Sequence, residues 1–202
     1  MITSYSDLKS SIANFLHRTD LTSMIPEFIA DAEARIYNDL RIRAMEAAYS
    51  EAIATGTVTL PTGFLEWKYL YVDDTSATKL IRKDAEWIYT NYPTRSAGGK
   101  PKFFAREGET LIFGPYPDSA YTIKGRYYKR LTALSDSNTS NWFITDAPDL
   151  LRFAALAEAE PYTSNDQRVA LWEGKYQAIK NRLQRSEKAE AFSGSQLSVT
   201  QG

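Results

Sequence analysis

The spacing of apolar residues changes twice along this 202-residue chain. It follows the helical period of about 3.6 up to residue 41, the strand period of two from about residue 49 to residue 130, and the helical period again from about residue 145. Helices followed by strands and then by helices favour an α+β fold. Because neither terminal pair of helices can bury its apolar stripe alone, we expect a helical bundle of two N-terminal and two C-terminal helices with an inserted antiparallel β domain.

The same changes of period predict four segments. Residues 1–48 form the N-terminal helical hairpin of the bundle, residues 49–132 the inserted β domain, and residues 133–192 the C-terminal helices that complete the bundle. Residues 193–202 are small and polar, with only Leu197 and Val199 apolar. We expect this last segment to be a flexible tail in the free subunit.

Two helices are predicted in the N-terminal segment. Leu8, Ile12, Phe15 and Leu16 recur at helical spacing and predict a first helix over about residues 4–17. A second helix is predicted from Pro26, which suits a first helical turn, to about residue 41. The residues predicted to face the core are Ile25, Phe28, Ile29, Ala32, Ile36, Tyr37 and Leu40. The residues predicted to face solvent are Glu27, Asp31, Glu33, Arg35, Asn38 and Asp39.

Alternating residues and turn signals predict the strands of the middle segment. The predicted strands cover residues 57–60, 65–72, 79–81, 102–105, 110–113 and 121–130, and residues 84–92 are predicted to form one short helix. Residues 102–105 and 110–113 flank Glu107-Gly108-Glu109 and are therefore expected to pair as a hairpin.

Two further helices are predicted near the C-terminus. One starts at Thr145 or Asp146, just before Pro148, and stops near Pro161. The other starts at Ser164 or Asn165 and extends to about residue 191. Its apolar residues follow a heptad-like spacing and are Val169, Trp172, Tyr176, Ile179 and Leu183.

Composition limits the chemistry that the chain can perform. With no Cys and a single His, His17, it offers no thiolate nucleophile, no zinc site built from Cys and no multi-His metal site. We predict no catalytic residues, no metal ligands and no cofactor, although an enzyme that uses carboxylates of the β domain stays open as an alternative. No apolar run approaches 18 residues and no secretory signal is recognisable, so we expect a soluble, cytosolic chain without a membrane partner.

Charge is distributed unevenly along the chain. The formal net charge of −1 excludes the strongly basic balance of a non-specific nucleic-acid binder, yet residues 50–130 carry an excess of three positive charges. Lys124, Arg126, Tyr128 and Arg130 fall on one face of the last predicted strand. A basic strip with an interleaved aromatic can contact a phosphate backbone. A solvated face, or ion pairs with a neighbouring subunit, would explain the same residues.

The order of several short motifs resembles that of the head-to-tail adaptor, or connector, proteins of tailed phages over about residues 4–183. The N-terminal motifs are Ser4-Tyr5-Ser6-Asp7-Leu8, Ile25-Pro26-Glu27-Phe28-Ile29 and Ala32-Glu33-Ala34-Arg35-Ile36. The middle motifs are Thr59-Leu60-Pro61-Thr62-Gly63-Phe64, Gly99-Lys100-Pro101-Lys102-Phe103 and Gly114-Pro115-Tyr116-Pro117. The C-terminal motifs are Thr145-Asp146-Ala147-Pro148-Asp149-Leu150-Leu151, Glu158-Ala159-Glu160-Pro161-Tyr162, and Trp172-Glu173 with Tyr176.

This resemblance implies a non-enzymatic virion protein that assembles as a ring, typically of twelve copies, beneath the portal and around the path of the DNA. Its partners would be the portal protein, other copies of itself and a further tail protein of the nozzle or tube, which the β domain would face. DNA would pass through the channel without sequence-specific binding, as it must during ejection. The protein would lie in the tail or neck of the virion, and in the host cytoplasm during assembly.

The resemblance also gives the C-terminal tail a role. In that family the C-terminal segment commonly docks into the portal, so Phe192, Leu197 and Val199 are predicted to bind the portal. A segment that orders only on its partner loses its conformational entropy at assembly. The alternative function is a nucleic-acid-binding module that uses the strand face of Lys124, Arg126, Tyr128 and Arg130.

Overall fold

A computed structural model describes residues 1–96, 98–163 and 167–192. The chain folds into two compact units, one made of residues 1–44 together with the chain after residue 130, and the other made of residues 45–130. With seven helices and two β-sheets in the described residues, the predicted α+β class is confirmed. The division of the chain into four segments at residues 48, 132 and 192 stays a prediction.

The helices are α1 (Tyr5–Leu16), α2 (Ile25–Asp39), α3 (Ala85–Asn91), α4 (Trp142–Asp146), α5 (Pro148–Glu158), α6 (Glu160–Thr163) and α7 (Arg168–Phe192). Short 3-10 turns cover Thr19–Met24 and Arg43–Met45. The strands are β1 (Glu46–Ile53), β2 (Thr57–Thr59), β3 (Phe64–Asp73), β4 (Thr78–Lys79), β5 (Ile81–Arg82), β6 (Phe103–Glu107), β7 (Thr110–Gly114) and β8 (Tyr121–Lys129).

In the first unit, α5 packs against α1, α2 and α7. Ser4 caps α1, because its Oγ accepts a hydrogen bond from the backbone N–H of Asp7 at 3.1 Å. Phe15, predicted on the apolar face of α1, is 39% exposed. Most buried residues of these four helices lie on the apolar faces that the sequence predicts. They include Leu8, Ile12, Leu16, Phe28, Ile29, Ile36, Leu150, Leu151, Ala154, Trp172 and Tyr176.

One residue of α2 contradicts the sequence prediction. Glu33 was expected to face solvent, but it is buried, with 5% of its surface exposed. The connector between β8 and α4 covers it: the backbone N–H of Leu134 donates to its carboxylate at 3.4 Å, and Asn141 Nδ2 donates to its Oε1 at 3.2 Å. Glu33 therefore joins α2 to a segment that is far away in sequence.

The C-terminal helices also differ from their prediction at the start. The helix expected to start at Thr145 or Asp146 is α5, which starts at Pro148 instead. A separate short helix that the sequence did not predict, α4, begins at Trp142 and is capped by Asn141, whose Oδ1 accepts from the N–H of Phe143 at 3.0 Å. A break at Ala147 separates α4 from α5. The expected start of the last helix at Ser164 or Asn165 lies outside the described residues.

The second unit contains two four-stranded sheets with the orders β1-β8-β3-β4 and β2-β7-β6-β5. The expectation of a purely antiparallel domain is wrong in one place, since β5 pairs with β6 in parallel. The predicted hairpin of β6 and β7 is confirmed. Both sheets contribute to one core, which includes Ile53, Leu70, Val72, Phe104, Phe113, Ile123 and Tyr127. On the other face of β6 and β7, Ile88 of α3 packs with Ala105 and Ile112.

Candidate functional site

The predicted basic strip lies on the outward face of β8. Ile123 and Tyr127 point into the core, whereas Lys124 and Tyr128 are half-buried and Arg126 is exposed. Lys124, Arg126 and Tyr128 thus share one face, as the alternation predicts. Arg130 follows the end of β8, is exposed, and donates its backbone N–H to the carbonyl of Gly63 at 2.8 Å.

Carboxylates neutralise part of this strip. Lys124 Nζ lies 2.6 Å from Asp73 Oδ2, and the hydrogen bond to Asp73 raises the pKa of Lys124. In the same sheet, Lys68 Nζ lies 2.5 Å from Glu46 Oε1, and that hydrogen bond raises the pKa of Lys68 in the same way. The surface therefore carries charges of both signs, and ion pairs account for part of the basic strip.

Two tyrosines of β3 extend the same surface, and the sequence analysis missed them as site residues. Tyr69 lies opposite Arg126 and Tyr71 lies opposite Lys124 in the register of β3 and β8. Their rings stack with centroids 6.4 Å apart, and Tyr69 is 42% exposed. The available signal was the alternation within residues 65–72, which places Tyr69 and Tyr71 on the face opposite the buried Leu70 and Val72.

The predicted portal-binding residues cannot be located as a group. Phe192 is the last residue of α7, whereas Leu197 and Val199 lie outside the described residues. Their role stays a prediction.

A polar cluster that the sequence analysis did not single out attaches α7 to the rest of its unit. Arg35 of α2 binds Glu158 Oε1 at 3.1 Å and Glu173 Oε1 at 2.6 Å, and its guanidinium lies over the Tyr176 ring at 4.4 Å. Asp39 accepts from Tyr176 Oη at 2.7 Å and from Lys180 Nζ at 3.1 Å. These contacts fix the first half of α7 against α2 and α5.

Of the other residues that could support chemistry, His17 and Lys100 have structural roles, and the carboxylates of Glu27 and Asp31 are exposed. His17 ends α1 in the left-handed conformation, with φ of 54°, and Asp20 pairs with Arg18 at 2.6 Å. Glu27 and Asp31 are exposed on α2, and the described residues contain no group of three potential metal ligands. Lys100, in the Gly98-Gly99-Lys100 loop, binds Asp74 at 3.1 Å. Across the described ranges, no helix is long and apolar enough to cross a membrane.

Comparison with protein families gives the class of the chain: a phage adaptor, which is a structural component of the virion. The matching model is that of the SU10 adaptor protein, and it covers residues 3–199. The chain therefore belongs to the SU10 adaptor protein family, and the resemblance found in the sequence is confirmed. No curated protein matches the chain.

Proposed function

We propose that this protein is the head-to-tail adaptor of a tailed phage and forms a ring of twelve copies between the portal and the next tail component. The ring surrounds the channel through which DNA leaves the head. The family match carries this proposal, because it spans residues 3–199 and so includes both compact units. In this role the protein acts through its shape and its contacts, and it catalyses no reaction.

The C-terminal tail is the portal-binding element in this proposal. Phe192 ends α7, and Leu197 and Val199 are the only apolar residues in the small, polar stretch that follows. Alternate apolar side chains separated by Ser198 suit an extended segment that adds to a partner's surface. Such a segment is ordered at the moment of assembly, which keeps binding specific to the partner.

The second unit contacts the following tail protein through the outward face of β8 and β3. Tyr69, Tyr71 and Arg126 supply the residue types that are enriched in protein interfaces. Lys124 pairs with Asp73, and Lys68 pairs with Glu46, so this face carries both positive and negative charges. That mixture favours a protein partner over a polyanion, so the nucleic-acid alternative for this face has less support.

Mixing the full chain with the portal protein and measuring the mass of the product tests the proposal. We expect a complex that contains one ring of adaptor copies per portal, and we expect the variant Leu197→Asp/Val199→Asp to lose it. The matched control is Ser195→Asp/Ser198→Asp, which adds the same charge to the same segment without removing an apolar side chain. A free chain that stays monomeric is compatible with assembly that starts only on the portal.

Two results would contradict the proposal. One is the absence of any complex between the full chain and the portal. The other is equal loss of binding in the two tail variants, which would indicate that added charge alone, and not the loss of Leu197 and Val199, prevents docking.

A further inference from the structure

Helix α7 separates its charges onto two sides. All three of its acidic residues whose contacts are described face the rest of their unit: Glu173 binds Arg35 at 2.6 Å, Glu187 binds Arg43 at 3.4 Å, and Glu190 binds Arg43 as well. Lys180, on the same side, binds Asp39 at 3.1 Å. These pairs neutralise the side of α7 that packs against the unit.

The outward side of α7 carries only positive charges. Lys175, Arg182, Arg185 and Lys188 are all exposed and form no ion pair with any residue in the described part of the chain. Each residue of a helix turns by about 100°, so Lys175 and Arg182 lie within about 20° of each other on one flank of the helix. By the same geometry Arg185 and Lys188 lie within about 40° of the direction opposite the buried Trp172 and Tyr176. Along the axis the four residues cover roughly 20 Å.

The neighbours of these cations suit a hydrated polyanion better than a protein. Between them lie Ala178, Asn181 and Ala189. Protein interfaces are enriched in Arg, but they are also enriched in aromatic residues and depleted of Lys and Ala. Asn181, Gln184, Arg185 and Lys188 line one shallow groove. Gln184 Nε2 donates to the Asp39 carbonyl and Arg185 Nε to the Asn181 carbonyl, both at 3.3 Å, which leaves the Asn181 amide and the terminal guanidinium N–H groups of Arg185 to donate to phosphate oxygens. No aromatic residue stands on this side between residues 175 and 189, so the stacking that holds single strands is lacking.

We propose that the outward face of α7, defined by Lys175, Arg182, Arg185 and Lys188, binds the phosphate backbone of duplex DNA without reading its sequence. The inference goes beyond the adaptor role, because it assigns direct binding of DNA, and not only its passage through the ring, to a named face of one helix. It also differs from the strip on β8, where Lys124 is already paired with Asp73 at 2.6 Å. Four phosphate contacts give a modest affinity that depends steeply on salt.

Fluorescence anisotropy of a labelled 30-base-pair duplex, titrated with the full chain, measures this binding. Four contacts predict a slope of log affinity against log salt of about −3.6, which is roughly a hundredfold loss of affinity between 50 and 200 mM salt. Arg182→Ala/Arg185→Ala should reduce the slope to about −1.8, because two contacts remain. Both side chains are exposed and Ala favours helices, so circular dichroism should show an unchanged fold.

Two matched variants make the assignment specific. Lys124→Ala/Arg126→Ala removes the same charge from β8 and should keep the wild-type slope. Arg182→Lys/Arg185→Lys keeps the charge on α7 and should restore most of the binding. A single strand of the same length should bind more weakly than the duplex.

Three results would overturn the inference. The first is an unchanged slope for Arg182→Ala/Arg185→Ala, and the second is an equal decrease in the α7 and β8 variants, which would reflect net charge alone. The third is loss of the portal complex in the α7 variant while its DNA binding is retained, which would make this face a protein interface. Because portal binding is measured separately, failure of the DNA inference leaves the adaptor proposal standing.

Discussion

The hydroxyl of Tyr176 donates a hydrogen bond to Asp39 Oδ2 at 2.7 Å and thereby attaches the first half of α7 to the C-terminal end of α2. Tyr176 is fully buried, and burial together with this hydrogen bond to Asp39 raises the pKa of its phenol. Burial by itself would raise the pKa of Asp39, but the hydrogen bonds from Tyr176 and Lys180 outweigh it and lower that pKa. At neutral pH Tyr176 is therefore a neutral phenol and Asp39 is a carboxylate.

Tyr176→Phe should destabilise the protein by about 1–2 kcal/mol, since a hydrogen bond to a charged group is lost while the ring stays packed. Urea unfolding monitored by circular dichroism measures the change. Tyr69→Phe removes a hydroxyl from an exposed ring and serves as the control, with no expected effect. Equal stability of the two variants would show that the bond to Asp39 contributes nothing.

Glu33→Gln should change how stability depends on pH. Burial raises the pKa of Glu33, and its hydrogen bonds from Asn141 and Leu134 offset only part of this effect. The carboxyl therefore loses its proton at lower pH in the unfolded chain than in the folded one. The pKa of Glu33 is near 4.5 in the unfolded chain and higher in the folded chain. As pH rises through the interval between these two pKa values, the free energy of unfolding of the wild type decreases, and at higher pH it stays at the lower level.

The Gln side chain keeps an acceptor for Asn141 and Leu134 but does not titrate, so the stability of the variant relative to the wild type should increase from pH 4 to pH 7. Urea unfolding at a series of pH values measures this difference. The exposed Glu27→Gln controls for the loss of one charge. A relative stability of Glu33→Gln that decreases as pH rises would contradict the prediction.

Tyr49→Phe should leave the second unit as stable as the wild type or stabilise it by up to about 1 kcal/mol. The Tyr49 hydroxyl is buried and has no hydrogen-bond partner among the described residues, while its ring packs edge-on against Trp67 with centroids 4.8 Å apart. The variant keeps this ring contact and removes the unpaired polar atom. Thermal unfolding compares it with Tyr127→Phe, and a clear decrease in stability specific to Tyr49→Phe would indicate a hydrogen bond that the structure does not show.

The sequence predicted the elements of this fold better than their contacts. The spacing of apolar residues was sufficient to predict α1, α2 and β8, because each of these elements has one continuous apolar face. Glu33 was placed wrongly by its residue type, although it lies four residues from both Ile29 and Tyr37, a spacing that puts it on their buried face. At that position the spacing along the helix indicates burial better than the polarity of the side chain does.

The candidate surfaces were harder to predict for a different reason. The strip on β8 was found by alternation, but the pairing of Lys124 with Asp73 depends on the register of β8 and β3, which short-range patterns do not give. The polar cluster of Arg35, Glu158 and Glu173 joins three helices that are distant in sequence. The uniform charge on the outward face of α7 is visible only once the partners of its acidic residues are known.

Gly125→Ala should destabilise the second unit by about 2 kcal/mol or more, because overpacked cores must shift their backbone. Gly125 lies in β8 opposite Leu70 of β3, and a Cβ added there would lie 2.2 Å from the carbonyl oxygen of Tyr69. This carbonyl belongs to the backbone of a paired strand, so it cannot move aside in the way that the end of a flexible side chain can. Gly174→Ala makes the same change in α7, where no atom lies within 4 Å of the added Cβ, and should stabilise the protein by about 0.5–1 kcal/mol. Urea unfolding of both variants measures whether the first loses stability and the second gains it. Tolerance of Gly125→Ala would show that the packing around β8 differs from the one described, and destabilisation by Gly174→Ala would show the same for α7.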